Sequence, residues 1–394
     1  MTYLLPTYTP FPFTLSHGVR DQVFATDGRA FWDFYGGHCV ASTGHSHPQV
    51  VAAIHAQAQS LLFYSTAGEL PLREMAAAAL MAFAAGSGMQ RVFFCNSGAE
   101  ANENALKLAH KITGRPVIMT LKGGWHGRSL ACLAATDDAK ITQPYAAWLP
   151  PSRALALNDL AALAAADFFD VCAVIVEPIQ SLSGICSASK AYLQALRAKT
   201  SAAGTLLIFD EIQTGIGRLG APFAANLLDV QPDLITSAKG LASGVPIGAV
   251  LMTSEIAAKI APGDMGSTFG GGPLACAALI ATLAVIAQEK LMANASAAGG
   301  AICAGLAALG INTRGTGLLL GLVHEHAAAL KKHLFDDGIL VGGSNDAQVL
   351  RLMPPLNLTD TAISAFLQSV QRFQLKSRVK NLWNSLYETL HPFS

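Results

Sequence analysis

Three short segments carry residues that can do chemistry. Asn96-Ser97-Gly98-Ala99-Glu100-Ala101-Asn102-Glu103 follows a strand-like run and opens a helix. The first amides of a helix lack internal partners and carry partial positive charge, so they can bind a phosphate, and Ser97 can add a hydroxyl. Taken alone, the segment reads first as an ordinary Ser N-cap with Glu100 completing a capping box. Phe209-Asp210-Glu211-Ile212-Gln213-Thr214-Gly215 sets two acids at the end of an apolar strand, where they are costly unless paired. A buried aspartate facing a protonated pyridine nitrogen would meet that need and keep the ring an electron sink. A metal-binding acidic pair or a structural ion pair would meet it too. Thr236-Ser237-Ala238-Lys239-Gly240-Leu241 places a lysine among small residues just after a strand. Desolvated there, Lys239 loses part of its preference for the charged form, so it can condense with an aldehyde and later shuttle a proton. A lysine merely exposed in a loop is the plain alternative.

Two more segments add to these. Gly123-Gly124-Trp125-His126-Gly127-Arg128 offers an aromatic ring that can stack on a planar group, an imidazole, and a guanidinium fork for a carboxylate. Gly266-Ser267-Thr268-Phe269-Gly270-Gly271 is a glycine-rich loop with hydroxyls, suited to a phosphate or equally to a plain turn.

The elements that must position these groups follow from the apolar runs. Arg91–Cys95, Val117–Thr120, Ala173–Val176, Thr205–Phe209, Leu234–Thr236 and Ile247–Met252 are short, apolar and separated by helical stretches. That alternation predicts an α/β fold with a mostly parallel sheet covered on both faces. The polar residues cluster just after the strands, where open α/β sheets form ligand sites. Beyond about residue 290, alanine-rich helices alternate with short strands such as Gly317–Val323, which predicts a smaller α+β domain. We therefore expect residues 1–50 to pack with the small domain, 51–289 to form the large domain and 290–394 the small one. The tail from Lys376 to Ser394, with Trp383 and Tyr387, reads as an amphipathic helix.

Composition narrows the function. Lys+Arg and Asp+Glu both total 26 in 394 residues, so bulk charge gives no nucleic-acid or membrane-surface partner. The longest apolar stretch, Pro273 to Ala287, is shorter than the roughly 20 residues of a spanning helix, so a buried core or interface helix is expected. Met1 to Pro12 has no basic region followed by an apolar run, so no secretory signal is expected. Seven scattered cysteines without a Cys-x-x-Cys pair predict reduced thiols, a cytoplasmic location and no metal site.

The order and spacing of these segments resemble the class III (ω-amino) aminotransferases of pyridoxal-phosphate (PLP) fold type I, the acetylornithine and ornithine aminotransferase group. The likeness runs from Trp32-Asp33-Phe34 to Arg351-Leu352-Met353-Pro354-Pro355 and rests most on Asn-Ser-Gly-Ala-Glu-Ala-Asn, Val-Glu-Pro-Ile-Gln, Phe-Asp-Glu-Ile-Gln-Thr-Gly, Ala-Lys-Gly and Gly-Ser-Thr-Phe-Gly-Gly. The resemblance implies PLP as cofactor, held by Lys239 as a Schiff base. Asp210 would pair with the pyridine nitrogen, Gln213 would contact the phenolic oxygen, and Ser97, Gly98 and Ala99 would cup the phosphate. Trp125 would stack on the ring, where most relatives carry phenylalanine or tyrosine, and His126 would join the cofactor-binding residues. Thr268 would reach the phosphate from the neighbouring subunit of a homodimer. Arg128 would grip the carboxylate far from the reacting amine, Arg351 would receive the α-carboxylate of glutamate, and Glu177 would mask Arg351 when the substrate lacks that group.

The implied reaction moves the terminal amino group of an ω-amino acid to 2-oxoglutarate, giving an aldehyde and glutamate, in arginine or lysine metabolism. N-acetylornithine leads, followed by an N-succinylated diamine, with ornithine, 4-aminobutyrate and a carrier-linked lysine as alternatives. A PLP aminomutase and a non-catalytic relative are the rivals of other classes. Three stretches depart from the family wording: Ser181-Leu182-Ser183-Gly184 for Gly-Glu-Gly-Gly, Gly271-Gly272-Pro273-Leu274 for Gly-Gly-Asn-Pro-Leu, and Tyr35–Val40 for a small apolar run. They bear on the substrate rather than on the cofactor chemistry.

Overall fold

The structure, a computed structural model, describes residues 3–390. Its centre is a seven-stranded sheet. In chain order the strands are β1 (Arg91–Cys95), β2 (Val117–Leu121), β3 (Ser152–Leu155), β4 (Val171–Val176), β5 (Leu206–Asp210), β6 (Leu234–Ser237) and β7 (Gly248–Met252). They lie in the order β1-β7-β6-β5-β4-β2-β3. β7 runs antiparallel to its neighbours β1 and β6, and the remaining pairs are parallel. Every residue of β4 and β5 is buried, which is why these strands read as unbroken apolar runs. The edge strand β3 gave no such signal because only its last residue, Leu155, is buried.

Helix α1 (Gly98–Thr113) follows β1 directly. Ser97 is extended and its side chain accepts from the Glu100 amide at 3.1 Å, while Gly114 ends the helix in the left-handed region at φ 68°. Its buried residues include Ala101, Ala105, Leu108 and Ala109, the face it lays on the sheet. The apolar stretch that begins at Pro273 forms α2 (Pro273–Gln288), a buried helix packed on helices Pro48–Ser60 and Pro71–Phe83. The next helix, α3 (Leu291–Ala308), is long and apolar enough by length and composition to cross a membrane. Its Ala295, Ile302 and Leu306 are buried in the main core.

Two smaller sheets flank this centre. One is antiparallel, from Thr313–Thr316, Leu319–Val323 and Val349–Leu352. The other joins the N-terminal strands Leu15–Val19, Gln22–Ala25 and Ala30–Asp33 to Ile339–Leu340, which runs parallel to the third. The last helix, α4, spans Asp360–Leu390, so the tail is helical through that residue; Trp383, Tyr387 and the sidedness expected from them lie outside the described side chains. The Ser181–Gly184 departure forms part of the turn of a short hairpin between Ile179–Gln180 and Cys186–Ser187.

Candidate active site

Parallel strands deliver their carboxyl ends to one edge of the sheet, and the chemistry-bearing residues sit there. β5 ends on Asp210, β6 stops two residues before Lys239, and β4 stops one before Glu177. A cavity of about 460 Å³ at this edge is lined by Ser97, Gly98, Ala99, Trp125, His126, Arg128, Glu177, Asp210, Gln213 and Lys239.

Asp210 is held from several sides. Its Oδ2 lies 2.8 Å from Nδ1 of His126 and accepts from the Asn102 side-chain amide at 2.7 Å; its Oδ1 accepts from the Ile212 amide at 3.1 Å. Asn102 is fixed in turn, because its Oδ1 accepts from the Thr236 hydroxyl at 2.6 Å and its Nδ2 also donates to the His126 carbonyl. A carboxylate this enclosed, 4% exposed, calls for a cationic partner. The neighbouring acid has another fate, because side chains alternate along a strand. Glu211 accepts from the Thr214 hydroxyl at 3.0 Å and from the Ala224 and Ala225 amides, capping the helix Ala224–Leu228, and burial pushes its carboxyl up to about 7. The two acids therefore part company and do not form a shared metal pair.

Lys239 opens a short 3₁₀ turn with φ 42°, a left-handed conformation that costs a non-glycine residue energy. Its side chain borders the cavity and is otherwise enclosed. That desolvation pulls its proton affinity below the usual lysine range; Cys39, Asp210 and Glu177 oppose the shift and Arg351 adds to it. A lysine so placed can exist as the free amine needed to attack a carbonyl.

At the start of α1, the backbone of Ser97 and Gly98 faces the cavity. A Cβ on Gly98 would lie 2.7 Å from Cδ1 of Ile212, so glycine is what lets the turn and that side chain approach. Trp125 and Ile212 both line the space. A buried ring nitrogen, Nε2 of His126, has no hydrogen-bond partner. These groups fit a flat pyridine ring with an aldehyde and a phosphate: the α1 start would hold the anion, Asp210 the ring nitrogen and Lys239 the carbonyl.

Glu177, Arg128 and Arg351 form a second set. Glu177 accepts from the Trp125 amide at 2.8 Å and from the Ser181 amide at 3.4 Å. Burial pushes its carboxyl up to about 7, against the pull of His126, with Asp210 adding to the rise. The Arg128 guanidinium lies 5.5 Å from the centre of the Trp125 ring. Arg351 is buried and donates to the Ser181 hydroxyl at 3.0 Å and to the Gly343 carbonyl. It lines a neighbouring cavity of about 470 Å³ together with Tyr35 and Lys331. Thr268 also stands apart from the Lys239 cavity: it is exposed, on a loop whose Ser267 hydroxyl bonds Glu100 and Asn96.

Sequence reasoning named neither Asn102 nor Thr236 as a site residue. The signal for Asn102 was its spacing: with Leu106 and Ala109 it follows the i, i+4, i+7 pattern of the buried helical face, where a polar side chain needs a partner. Ser181 stood out only as a departure in wording.

The sequence matches the family Aminotransferase class-III over residues 5–373. It is 37% identical over 374 residues to the acetylornithine aminotransferase of Methanothermobacter thermautotrophicus, covering 92% of this chain and 94% of that one. It is 40% identical to the acetylornithine aminotransferase of Streptomyces coelicolor, covering 92% and 91%. Among solved structures, the ornithine aminotransferase of Toxoplasma gondii superposes with a TM-score of 0.88 at 30% identity, covering 95% and 94%. The acetylornithine aminotransferase of Elizabethkingia anophelis gives 0.81 at 30%, covering 93% and 96%.

Proposed function

The chain belongs to the class III aminotransferases, and on that premise we propose that it transfers the terminal amino group of N-acetylornithine to 2-oxoglutarate. It is a transaminase that uses pyridoxal 5′-phosphate, an amino donor and a keto acid. When bound, the cofactor supplies an aldehyde that captures the amine and a ring that accepts the electrons released at the substrate carbon.

The residues divide the remaining work. Lys239, desolvated and at the cavity wall, takes the proton from the substrate carbon and returns it. Asp210, fixed by His126 and Asn102, keeps the ring nitrogen protonated. Trp125 and Ile212, on the cavity wall, would flank the ring, Gln213 would meet its oxygen, and Ser97, Gly98 and Ala99 would hold the phosphate. Arg128 takes the carboxylate far from the reacting amine and Arg351 the α-carboxylate of glutamate, with Glu177 reducing the claim of Arg351 on substrates that lack it. The observation that carries this reading is a lysine sharing one cavity with a fixed aspartate and Arg128, which lies on Trp125, while Arg351, held by Ser181, lines the neighbouring cavity. The family relatives named above as acetylornithine aminotransferases support N-acetylornithine ahead of an N-succinylated diamine, ornithine or 4-aminobutyrate.

We further propose a homodimer in which Thr268 reaches the partner's phosphate, which the exposure of Thr268 on its loop supports. The unpaired thiols support a reducing, cytoplasmic setting, and the donor would place the enzyme in arginine metabolism.

The test follows the visible absorbance of the cofactor-loaded protein. It should be lost on adding N-acetylornithine and restored by 2-oxoglutarate. A response to another ω-amine alone would move the substrate. Restoration without any keto acid would favour an aminomutase.

A further inference from the structure

We propose that Ser181 is a neutral latch on Arg351 that sets how tightly this site takes dicarboxylates. The proposal rests on the reading of Arg351 as a carboxylate receptor. Ser181 is fully buried at the start of the hairpin turn. Its hydroxyl accepts from Nη1 of Arg351 at 3.0 Å, with Sδ of Met353 at 3.8 Å on its donor side. Its backbone amide donates to Oε2 of Glu177 at 3.4 Å. One residue therefore stands between the acid and the arginine, touching each through a different group. Glu177 spends its oxygens on the Trp125 and Ser181 amides, and the Arg351 guanidinium bonds the Ser181 hydroxyl and the Gly343 carbonyl.

A hydroxyl is a weaker acceptor for a guanidinium than a carboxylate is. It satisfies an Arg351 N–H while no dicarboxylate is present, and an arriving carboxylate displaces it. Displacement gives up part of what the new ion pair gains, so the latch lowers dicarboxylate affinity. A donor whose carboxylate lies elsewhere leaves the latch closed and is unaffected. Ser181→Ala removes only the hydroxyl and keeps the amide on Glu177. The Arg351 N–H is then unpaired in the substrate-free site, and an incoming carboxylate recovers the whole interaction.

The probe is glutarate, a dicarboxylate with no group to react, titrated calorimetrically into the cofactor-loaded enzyme. Ser181→Ala should bind glutarate roughly tenfold more tightly than wild type, while KM for N-acetylornithine stays unchanged. Ser181→Gly, which also lacks the hydroxyl, should shift in the same direction. Glutarate affinity that is unchanged or weaker in both variants overturns the latch, as does a parallel change in the donor KM. Arg351→Ala separates the two layers: if it leaves wild-type glutarate affinity intact, the reading of Arg351 itself has failed.

Discussion

At the scale of single residues, the site is a set of ionisable groups each kept in place by hydrogen bonds from its neighbours. Asp210 gains its orientation from His126, Asn102 and the Ile212 amide, and among the described residues no lysine or arginine forms an ion pair with it. The charge is thus left for a ligand to balance. Asp210→Asn keeps the shape and removes the charge, so both half-reactions should slow by roughly 10²–10³-fold. Single-turnover rates would show it; retention of more than about a tenth of either rate would remove Asp210 from this role. Glu177 gives a pH signature. Burial raises its carboxyl to about 7, so it is neutral below that point and charged above it. Charged, it attracts Arg351 and competes with an incoming carboxylate. Glutarate should therefore bind more tightly as pH falls through 7 in wild type, and this trend should flatten in Glu177→Gln. Equal slopes in the two proteins would assign the titration to another group.

At the scale of elements, the strand-to-helix junctions do the positioning, and close backbone approach limits what they tolerate. A Cβ on Gly248, at the start of β7, would meet the Ser97 carbonyl at 2.3 Å, which shows how tightly β7 abuts the turn that opens α1. Helix α3 offers a cleaner contrast in adjacent glycines. At Gly299 a Cβ would lie 2.1 Å from the Gly317 carbonyl, whereas at exposed Gly300 nothing stands within 4 Å. Gly300→Ala should stabilise the fold by roughly 0.5–1 kcal/mol through reduced chain entropy. Gly299→Ala should destabilise it by roughly 1–3 kcal/mol through overpacking. Chemical denaturation of the two variants decides the matter, and the reverse order would mean that α3 is rotated from the face described above.

At the scale of the whole molecule, one region of surface is unfinished. Leu62, Tyr64 and Phe269 are well exposed, and the Phe63 and Phe269 rings pack with centroids 4.9 Å apart beside Thr268. An apolar patch of this kind suits burial against another copy of the chain. Phe269→Asp should shift the protein toward monomer in sedimentation velocity and weaken cofactor retention on dialysis in the same samples. A monomer that keeps its cofactor as tightly as wild type would sink the idea that Thr268 acts across the interface.

By itself the sequence determined the mostly parallel sheet and the convergence of Ser97, Asp210 and Lys239. Buried strands declare themselves as apolar runs, and parallel strands must put their carboxyl ends on one edge. The edge strand β3 was illegible because exposed residues leave no such run. Tertiary structure alone decided the Asn102 and Thr236 support of Asp210, the parting of Asp210 from Glu211, and the meeting of Glu177 with Arg351 through Ser181. These contacts join residues far apart in the chain, and a hydrogen bond depends on strand register and turn geometry to within a fraction of an ångström, which residue type and spacing do not encode.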